Sequence, residues 1–419
     1  MPLTEFTLKN GLKVILVEDH RTPVIFHAIA YKVGSADDEP GKSGVAHFLE
    51  HLLFKGTAKY PDGSFDRIMG ENGAENNAFT TTDITVYYER LSSSLLGLAM
   101  ELDADRMQNL QLSPEVFESE RKVVLEEHRQ TTESNPYAEA NEVLQAALFK
   151  THPYGIPTLG HPEEVQKLTL QDVLSYYRSH YMPGNAVVFV VGDANPGNVR
   201  ELAERFYGPL QNPGAVPVRK RPAEPVRTAP ERLEMADGRI SDSSFIRDYL
   251  VPARSDLNRR EVAANAVLAY ILSGSSDSRF DKQLVNDART ASAAGASYSG
   301  RTITYGTFRI YATASAGGDV GQLEKAVDGI LQDVVKNGVT ADELSWAKNA
   351  MLASYIYDQD TPLNSALAIG TSLLTGEKRE DIFLQDKAFA QVTRDDVKAA
   401  AARIFKTRHN VTIVLRPKT

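Results

Sequence analysis

Two histidines and a glutamate lie close together in a short apolar segment near the start of the chain, at positions 47, 50 and 51. If this segment is a helix, His47 and His51 are one turn apart on the same face, so both imidazoles can reach one metal ion. Glu50 lies beside that face, where it is better placed to take a proton from a water molecule than to act as a third ligand. The order H-x-x-E-H reverses the H-E-x-x-H metal-binding helix and predicts a hydrolytic metal centre.

A catalytic zinc ion takes three protein ligands and keeps one position for water, so a further ligand is needed. Acidic residues follow on a second predicted helix, from position 114 to about 129. Glu120 and Glu127 are seven residues apart, almost two helical turns, and therefore share a face. Glu127 could bind the metal while Glu120 supports one of the histidines. Helical geometry alone does not choose among Glu126, Glu127 and His128.

The composition limits the other functions open to this chain. It has 419 residues, no cysteine, and a formal net charge of 46 − 55 = −9. Without cysteine, a transition metal must be held by histidine nitrogen and carboxylate oxygen. The acidic balance argues against nucleic acid as a partner. No apolar run is long enough for a membrane span, and the start lacks a secretory signal. We therefore expect a soluble protein, cytoplasmic, or periplasmic if a signal has been removed.

The sequence outside the histidine motif predicts two copies of one structural unit. The segment Leu168-Thr-Leu-Gln-Asp-Val173 resembles Val392-Thr-Arg-Asp-Asp-Val397, 392 − 168 = 224 residues later. The apolar run that begins at Asn185 resembles the run that begins at Asn410, 410 − 185 = 225 residues later. Matches at nearly one offset indicate an internal duplication.

A proline-rich segment separates the two copies. Residues 209–231 carry six prolines, which indicates an extended interdomain linker. We predict a zinc-binding catalytic domain at 1–208 and a metal-free homologous domain at 232–419. Each is expected to be an α+β domain, a mainly antiparallel sheet packed with helices. Asn10-Gly11, between two apolar runs, predicts a two-residue hairpin near the start.

Several motifs along the chain occur together in one known family. The segment Gly44 to Thr57 reads Gly-Val-Ala-His-Phe-Leu-Glu-His-Leu-Leu-Phe-Lys-Gly-Thr, and Glu120-Arg-Lys-Val-Val-Leu-Glu-Glu127 follows. Further matches are Asn77-Ala-Phe-Thr80, His152-Pro-Tyr-Gly155 and His180-Tyr-Met-Pro-Gly-Asn185. With these motifs the chain resembles the pitrilysin family of zinc metallopeptidases. Its length is similar to that of bacterial processing peptidases and of the zinc-bearing β subunit of mitochondrial processing peptidase.

The resemblance implies a role for each matching residue. It implies one Zn²⁺ per chain, bound by His47, His51 and Glu127. The catalytic residues are then Glu50, the general base, and Glu120, which supports the metal ligands. The resemblance also implies an edge strand that pairs with the peptide substrate, and its alternating polar pattern independently suits strand addition. The residues of that strand are Asn77, Ala78, Phe79 and Thr80.

The second half of the chain lacks the metal-binding residues. Ala266, Ala269 and Tyr270 stand at the positions that correspond to His47, Glu50 and His51. The resemblance implies that the two domains form a clam-shell chamber around the substrate.

The family's second half also supplies an Arg and a Tyr, seven residues apart, that grip the substrate. In one alignment register Val285 and Ser292 stand there, and in the other Ala291 and Tyr298, so neither register contains the pair. Arg289 and Tyr298 are nine residues apart and could replace it only if the loop is remodelled.

These observations predict a zinc endopeptidase that cuts peptides or unfolded segments. Because the Arg–Tyr pair is missing, we expect a heterodimer in which a homologous subunit supplies that pair. The alternative is a noncatalytic scaffold subunit of such an assembly, since some relatives have lost the zinc-binding residues. The intact motif weighs against this alternative.

Overall fold

The computed structural model describes residues 2–61, 63–359 and 362–418. None of the helices in these ranges is long and apolar enough to cross a membrane. The strands are β1 (Leu3–Thr7), β2 (Lys13–Glu18), β3 (Val24–Tyr31), β4 (Glu75–Thr80), β5 (Thr85–Ser92), β6 (Ala186–Gly192), β7 (Glu231–Asp237), β8 (Ser244–Pro252), β9 (Ala291–Ser299), β10 (Tyr305–Ala314) and β11 (Asn410–Pro417). The α-helices are α1 (Val45–Leu52), α2 (Ser64–Glu71), α3 (Leu96–Asn109), α4 (Pro114–His128), α5 (Pro136–Leu148), α6 (Pro162–Val165), α7 (Leu170–His180), α8 (Pro196–Phe206), α9 (Arg259–Ser273), α10 (Val320–Asn337), α11 (Ala341–Gln359), α12 (Pro362–Leu374), α13 (Arg379–Phe383), α14 (Gln385–Gln391) and α15 (Arg394–Phe405).

The strands form two sheets with the same topology. The first has the order β1-β2-β6-β3-β5-β4, and the second has the order β7-β11-β8-β10-β9. Each contains one parallel pair, β2 with β6 and β7 with β11, and the other neighbours are antiparallel. Apart from β1, the order of the first sheet repeats in the second. The predicted α+β class with two homologous domains is confirmed.

The duplicated sequence segments begin their helices with the same cap. The Thr169 hydroxyl accepts a hydrogen bond from the Asp172 N–H, and the Asp172 carboxylate accepts one from the Thr169 N–H. Thr393 and Asp396 form the same capping box at the start of α15. Such a box satisfies two backbone donors that the first turn of a helix leaves free. In both copies a sheet strand follows the capped helix, β6 after α7 and β11 after α15.

The hairpin between β1 and β2 has a longer loop than the predicted two residues. The Leu8 N–H donates to the Leu12 carbonyl at 2.8 Å, which leaves Lys9, Asn10 and Gly11 in the loop. Gly11 takes the positive φ of 90° that the loop needs. The Asn10 side chain instead donates to the Tyr207 carbonyl at 2.7 Å.

The chain folds into two compact units, each assembled from separate segments. The first comprises Met1–Thr131, Ile156–Arg221 and Gln359–Leu374, and the second comprises Thr132–Gly155, Pro222–Asp358 and Thr375–Thr419. In the first unit α12 packs on β3 and β6, and in the second α5 packs on β11. These helices begin 362 − 136 = 226 residues apart, close to the duplication offset. The domain boundaries at 208 and 232 stay a prediction.

A network of charged side chains is buried in the first unit. His27 Nδ1 lies 2.8 Å from Glu89 Oε2 and 3.4 Å from Asp103 Oδ2. The Arg106 guanidinium donates to Glu89 at 3.1 Å and contacts Asp103 at 2.5 Å. Arg106 supplies the positive charge that the carboxylates need, so the cluster does not require a metal ion. Burial raises the pKa of Glu89 and of Asp103 to about 7.

We expect Arg106→Met to lower the free energy of unfolding by about 3–5 kcal/mol, because it leaves two buried carboxylates without a cation. Glu89→Gln should cost much less, since a neutral group then remains beside an Arg–Asp pair. The folded-state pKa of Glu89 lies above its ordinary value of 4.5, so the contribution of Glu89 to stability should fall as pH rises from 4.5 to about 7. Glu89→Gln should flatten this fall.

Urea unfolding across this pH range measures both effects. Arg67→Met is the matched control, because the Arg67 side chain is 60% exposed and its ion pair with Glu71 is on the surface. Equal losses for Arg106→Met and Arg67→Met would contradict the prediction.

Candidate metal centre

The start of α1 is fixed by Gly44 and Asp38. Gly44 has a φ of 85°, and a Cβ at this position would lie 2.4 Å from the Leu159 carbonyl oxygen, so only glycine fits. The Asp38 carboxylate accepts hydrogen bonds from the Gly44 N–H at 2.7 Å and the Ala46 N–H at 3.3 Å. These bonds satisfy amides at the helix start. Asp38 was not predicted, since it precedes the helix by several residues and its sequence carries no capping signal.

The structure brings His47, His51 and Glu127 together. Glu127 Oε2 lies 3.2 Å from His51 Nε2 and 3.6 Å from His47 Nε2. One ligand atom from each of the three lies within 4.8 Å of the others. The histidines come from α1 and the glutamate from α4, as the predicted helices require.

This convergence separates the three candidates for the third ligand. Among the described residues, the cluster with the histidines includes Glu127 and neither Glu126 nor His128. The Glu126 side chain is 46% exposed and forms an ion pair with Arg129 at 2.6 Å. Geometry across two helices thus favours Glu127, a choice that the spacing along one helix could not make.

The donor set fits a zinc ion. Two imidazole nitrogens and one carboxylate oxygen match the three-ligand composition of catalytic zinc sites. Glu127 Oε2 is buried, yet it accepts no hydrogen bond of good geometry despite the two nearby imidazoles. Burial lowers the pKa of His47 to about 4, which keeps this imidazole neutral and able to bind a metal. Burial also acts to lower the pKa of His51, but the carboxylates of Glu120 and Glu127 raise it to about 9 in the metal-free protein.

Glu120 orients His51 from the side opposite Glu127. Its Oε1 lies 3.0 Å from His51 Nδ1, so with Nε2 turned toward Glu127 the Nδ1–H donates to Glu120. The Lys55 ammonium lies 2.8 Å from the other Glu120 oxygen. A carboxylate on the far nitrogen of a ligating histidine fixes its tautomer and ring orientation. Sequence reasoning assigned no role to Lys55, although its spacing of four residues from His51 places it one turn away on the same side.

Glu50 is buried beside the cluster and bonded to the sheet. It is 8% exposed, and the Thr80 hydroxyl donates to its Oε2 at 2.5 Å. Burial raises the pKa of Glu50, and the hydrogen bond from Thr80 partly opposes this shift. A carboxylate in this setting is suited to proton transfer, because burial makes it a stronger base. The contact from Thr80 was not predicted.

The predicted substrate strand lies at the edge of the first sheet. Residues Asn77–Thr80 belong to β4, which pairs with β5 on one side and is the last strand in the sheet order. The Ala78 N–H is covered by the Asn77 side-chain oxygen at 2.8 Å rather than by a strand. An edge of this kind can accept an extended peptide.

Both halves of the chain match known protein families. Residues 13–162 match the family described as Insulinase (Peptidase family M16), and residues 167–351 match the family's Peptidase M16 inactive domain. A zinc protease of Helicobacter pylori, PqqE, is 31% identical over 421 residues, which cover 98% of this chain and 92% of that protein. The probable mitochondrial-processing peptidase subunit beta of Schizosaccharomyces pombe is 31% identical over 216 residues, 50% of this chain and 46% of that protein.

A solved structure agrees with these matches. This chain aligns with the crystal structure of a protease from Helicobacter pylori with a TM-score of 0.93 and 29% sequence identity. The alignment covers 99% of this chain and 100% of that chain. This chain belongs to peptidase family M16, the pitrilysin family. The resemblance seen in the sequence motifs is confirmed.

We expect His51→Ala to lose most bound zinc, because two remaining ligands hold the ion poorly. Glu127→Gln should lose it as well, since an amide is a weak zinc ligand. Glu120→Gln should weaken zinc binding about 10- to 100-fold through the orientation of His51. Metal analysis of purified protein and competition with a chelator measure these changes.

The exposed His20, which pairs with Asp193 on the surface, provides the control substitution His20→Ala. Stoichiometric zinc in His51→Ala or in Glu127→Gln would contradict the ligand assignment.

Proposed function

We propose that this protein is a zinc-dependent endopeptidase that hydrolyses peptides or unfolded protein segments. The observation that carries the proposal is the convergence of His47, His51 and Glu127 with the buried carboxylate of Glu50 beside them. The zinc proteases among its relatives support the same chemistry. A structural metal site would not need a further buried carboxylate next to its ligands, so the arrangement favours hydrolysis.

Each residue of the centre has a separate task in this proposal. His47, His51 and Glu127 hold the zinc ion, which when bound supplies Lewis acidity that activates water and polarises the peptide carbonyl. Glu50 takes a proton from the attacking water and delivers it to the leaving amine. Glu120 keeps His51 in the tautomer and orientation that ligation needs.

The substrate is proposed to bind as an additional strand on β4. Backbone hydrogen bonds along Asn77–Thr80 would hold an extended peptide in register, which requires a segment without stable structure of its own. For Ala78 to donate to a substrate, the Asn77 side chain must release the Ala78 N–H that it now covers. This mode favours unfolded segments over compact proteins.

The Arg–Tyr pair of the second half is proposed to come from a homologous subunit. Tyr305 is committed elsewhere, since its hydroxyl accepts a hydrogen bond from the Glu224 N–H and its ring packs against His152. The Tyr298 hydroxyl packs against Gly300, where it lies 2.8 Å from the position that a Cβ would take, and Arg254 Cγ lies 2.9 Å from the same position. Arg289 is exposed, in a backbone conformation with a φ of 51°. None of these contacts places a ready-made Arg–Tyr grip in the second unit.

The scaffold alternative predicts a protein that neither binds zinc nor cuts peptides. The convergent and oriented ligand set argues against it, because a subunit without activity has no use for a carboxylate on the far side of His51. The compartment, cytoplasm or periplasm, stays a prediction.

We expect Glu50→Gln to retain the fold and the zinc but to lose peptide hydrolysis by about 10²–10⁴-fold, because an amide cannot accept the proton of water. Turnover of a fluorogenic peptide at saturating zinc measures the loss, and metal analysis confirms that the site is loaded. Glu126→Gln, on the exposed side of α4, is the matched control. Substantial turnover by Glu50→Gln would mean that another group is the base.

We expect the chain alone to bind zinc and to be a weak peptidase. A homologous subunit that carries the Arg–Tyr pair should raise the rate by roughly 10²–10³-fold per donor supplied at the scissile carbonyl. Titration of that subunit should saturate at one per chain. If the chain alone is fully active and Tyr298→Phe or Arg289→Ala abolishes that activity, the heterodimer proposal is contradicted. Substitutions of Arg301 and Tyr305 test these residues as donors in the same way.

A further inference from the structure

The hydroxyl of Thr80 is committed to the buried carboxylate of Glu50. It lies 2.5 Å from Glu50 Oε2 and 3.4 Å from the hydroxyl of Thr85, the other acceptor within reach. The Thr85 hydroxyl donates its own hydrogen to the Val33 carbonyl at 3.0 Å. The shorter distance and the negative charge both direct the Thr80 hydrogen to Glu50, because bonds to ionised acceptors are the shorter and stronger ones.

The two residues belong to different elements, and their contact joins the helix of the metal centre to the edge strand. Glu50 lies on α1, whereas Thr80 is the last residue of β4. Side chains alternate along a strand, so Thr80 shares a face with Ala78, two residues before it. Ala78 is the residue whose backbone N–H is available at the sheet edge once the Asn77 side chain moves away. The strand proposed to align the peptide therefore also holds the carboxylate proposed to activate water.

We propose that the side chain of Thr80 positions the general base and does not contact the substrate, whereas its backbone remains part of the strand that pairs with the peptide. Its hydrogen bond occupies one oxygen of Glu50 and fixes the plane of the carboxylate, which leaves the second oxygen to accept the proton of water. A freely rotating carboxylate would reach this orientation only part of the time, and misplaced groups slow proton transfer. This inference rests on the proposed function, in which Glu50 is the base.

The experiment compares Thr80→Val, which keeps the shape and removes the hydroxyl, with Thr80→Ser, which keeps the hydroxyl. For Thr80→Val we expect kcat to fall about 10- to 100-fold, the effect of losing one hydrogen bond to a charged group. The KM and the zinc content should change less than about twofold, because removal of an interaction made to the base affects kcat alone. Thr80→Ser should recover most of the lost kcat.

A second readout does not depend on turnover. The dissociation constant of a fluorescent unstructured peptide is measured on zinc-free protein, where Thr80→Val should bind as the wild type does. Thr82→Val is the matched control, because this threonine lies two residues further along the chain, in the connection between β4 and β5. It should leave kcat unchanged.

The outcomes separate this assignment from the proposed function. A loss of peptide affinity in Thr80→Val with kcat unchanged would overturn the positioning role and make Thr80 a substrate-binding residue. If the wild type is active and Thr80→Val is equally active, the positioning role of Thr80 is overturned while the proposed function stands. A wild type that binds zinc but shows no hydrolysis with the partner subunit would overturn the proposed function, and the role of Thr80 with it.

Discussion

The position of one imidazole, His51, between two carboxylates is the constraint on which the centre depends. Glu127 lies 3.2 Å from its Nε2 and Glu120 lies 3.0 Å from its Nδ1, and both carboxylates come from α4. The arrangement holds only if α1 and α4 keep a fixed distance, and the stacked rings of Phe48 and Phe117, 5.1 Å apart, pack between the two helices. Buried aromatic contacts of this kind resist small shifts because interiors are closely packed.

The duplicated halves show which features serve the fold and which serve the chemistry. The capping boxes of Thr169 and Thr393 are the same in both, and the order of the sheet strands repeats. On α9, by contrast, alanine and tyrosine stand where α1 carries its histidines and glutamate. A helix start must satisfy its amides in either copy, whereas the residues of the candidate metal centre are present in one copy only. The caps are therefore present in both halves, whether or not the half carries the histidines and the glutamate.

The two sheet edges differ in how their backbone groups are satisfied. In β9 the Ser273 hydroxyl accepts from the Ala296 N–H at 2.6 Å and donates to the Ala296 carbonyl at 3.1 Å. In β4 the Ala78 N–H is covered only by the neighbouring Asn77 side chain, which can rotate away. An edge whose donor and acceptor are both bound offers less to an incoming strand than one with a displaceable cover. At these two positions, the donor on the first sheet is thus the easier one to displace from its cover.

The sequence by itself determined the α+β class, the duplication, and the pairing of His47 with His51, because hydrophobic periodicity and an i, i+4 spacing are local properties. It also indicated the edge strand, through motifs shared with the family. It could not choose among Glu126, Glu127 and His128, nor find Asp38, Lys55 or the bond from Thr80 to Glu50. Asp38 caps α1 from the loop just before it, whereas the contacts of Glu127, Lys55 and Thr80 join residues far apart in the chain, and only the packing of α1 against α4 and β4 sets which of those side chains meet. The tertiary structure decided these contacts, because the spacing of residues along one helix or strand does not determine which side chains of another element they meet.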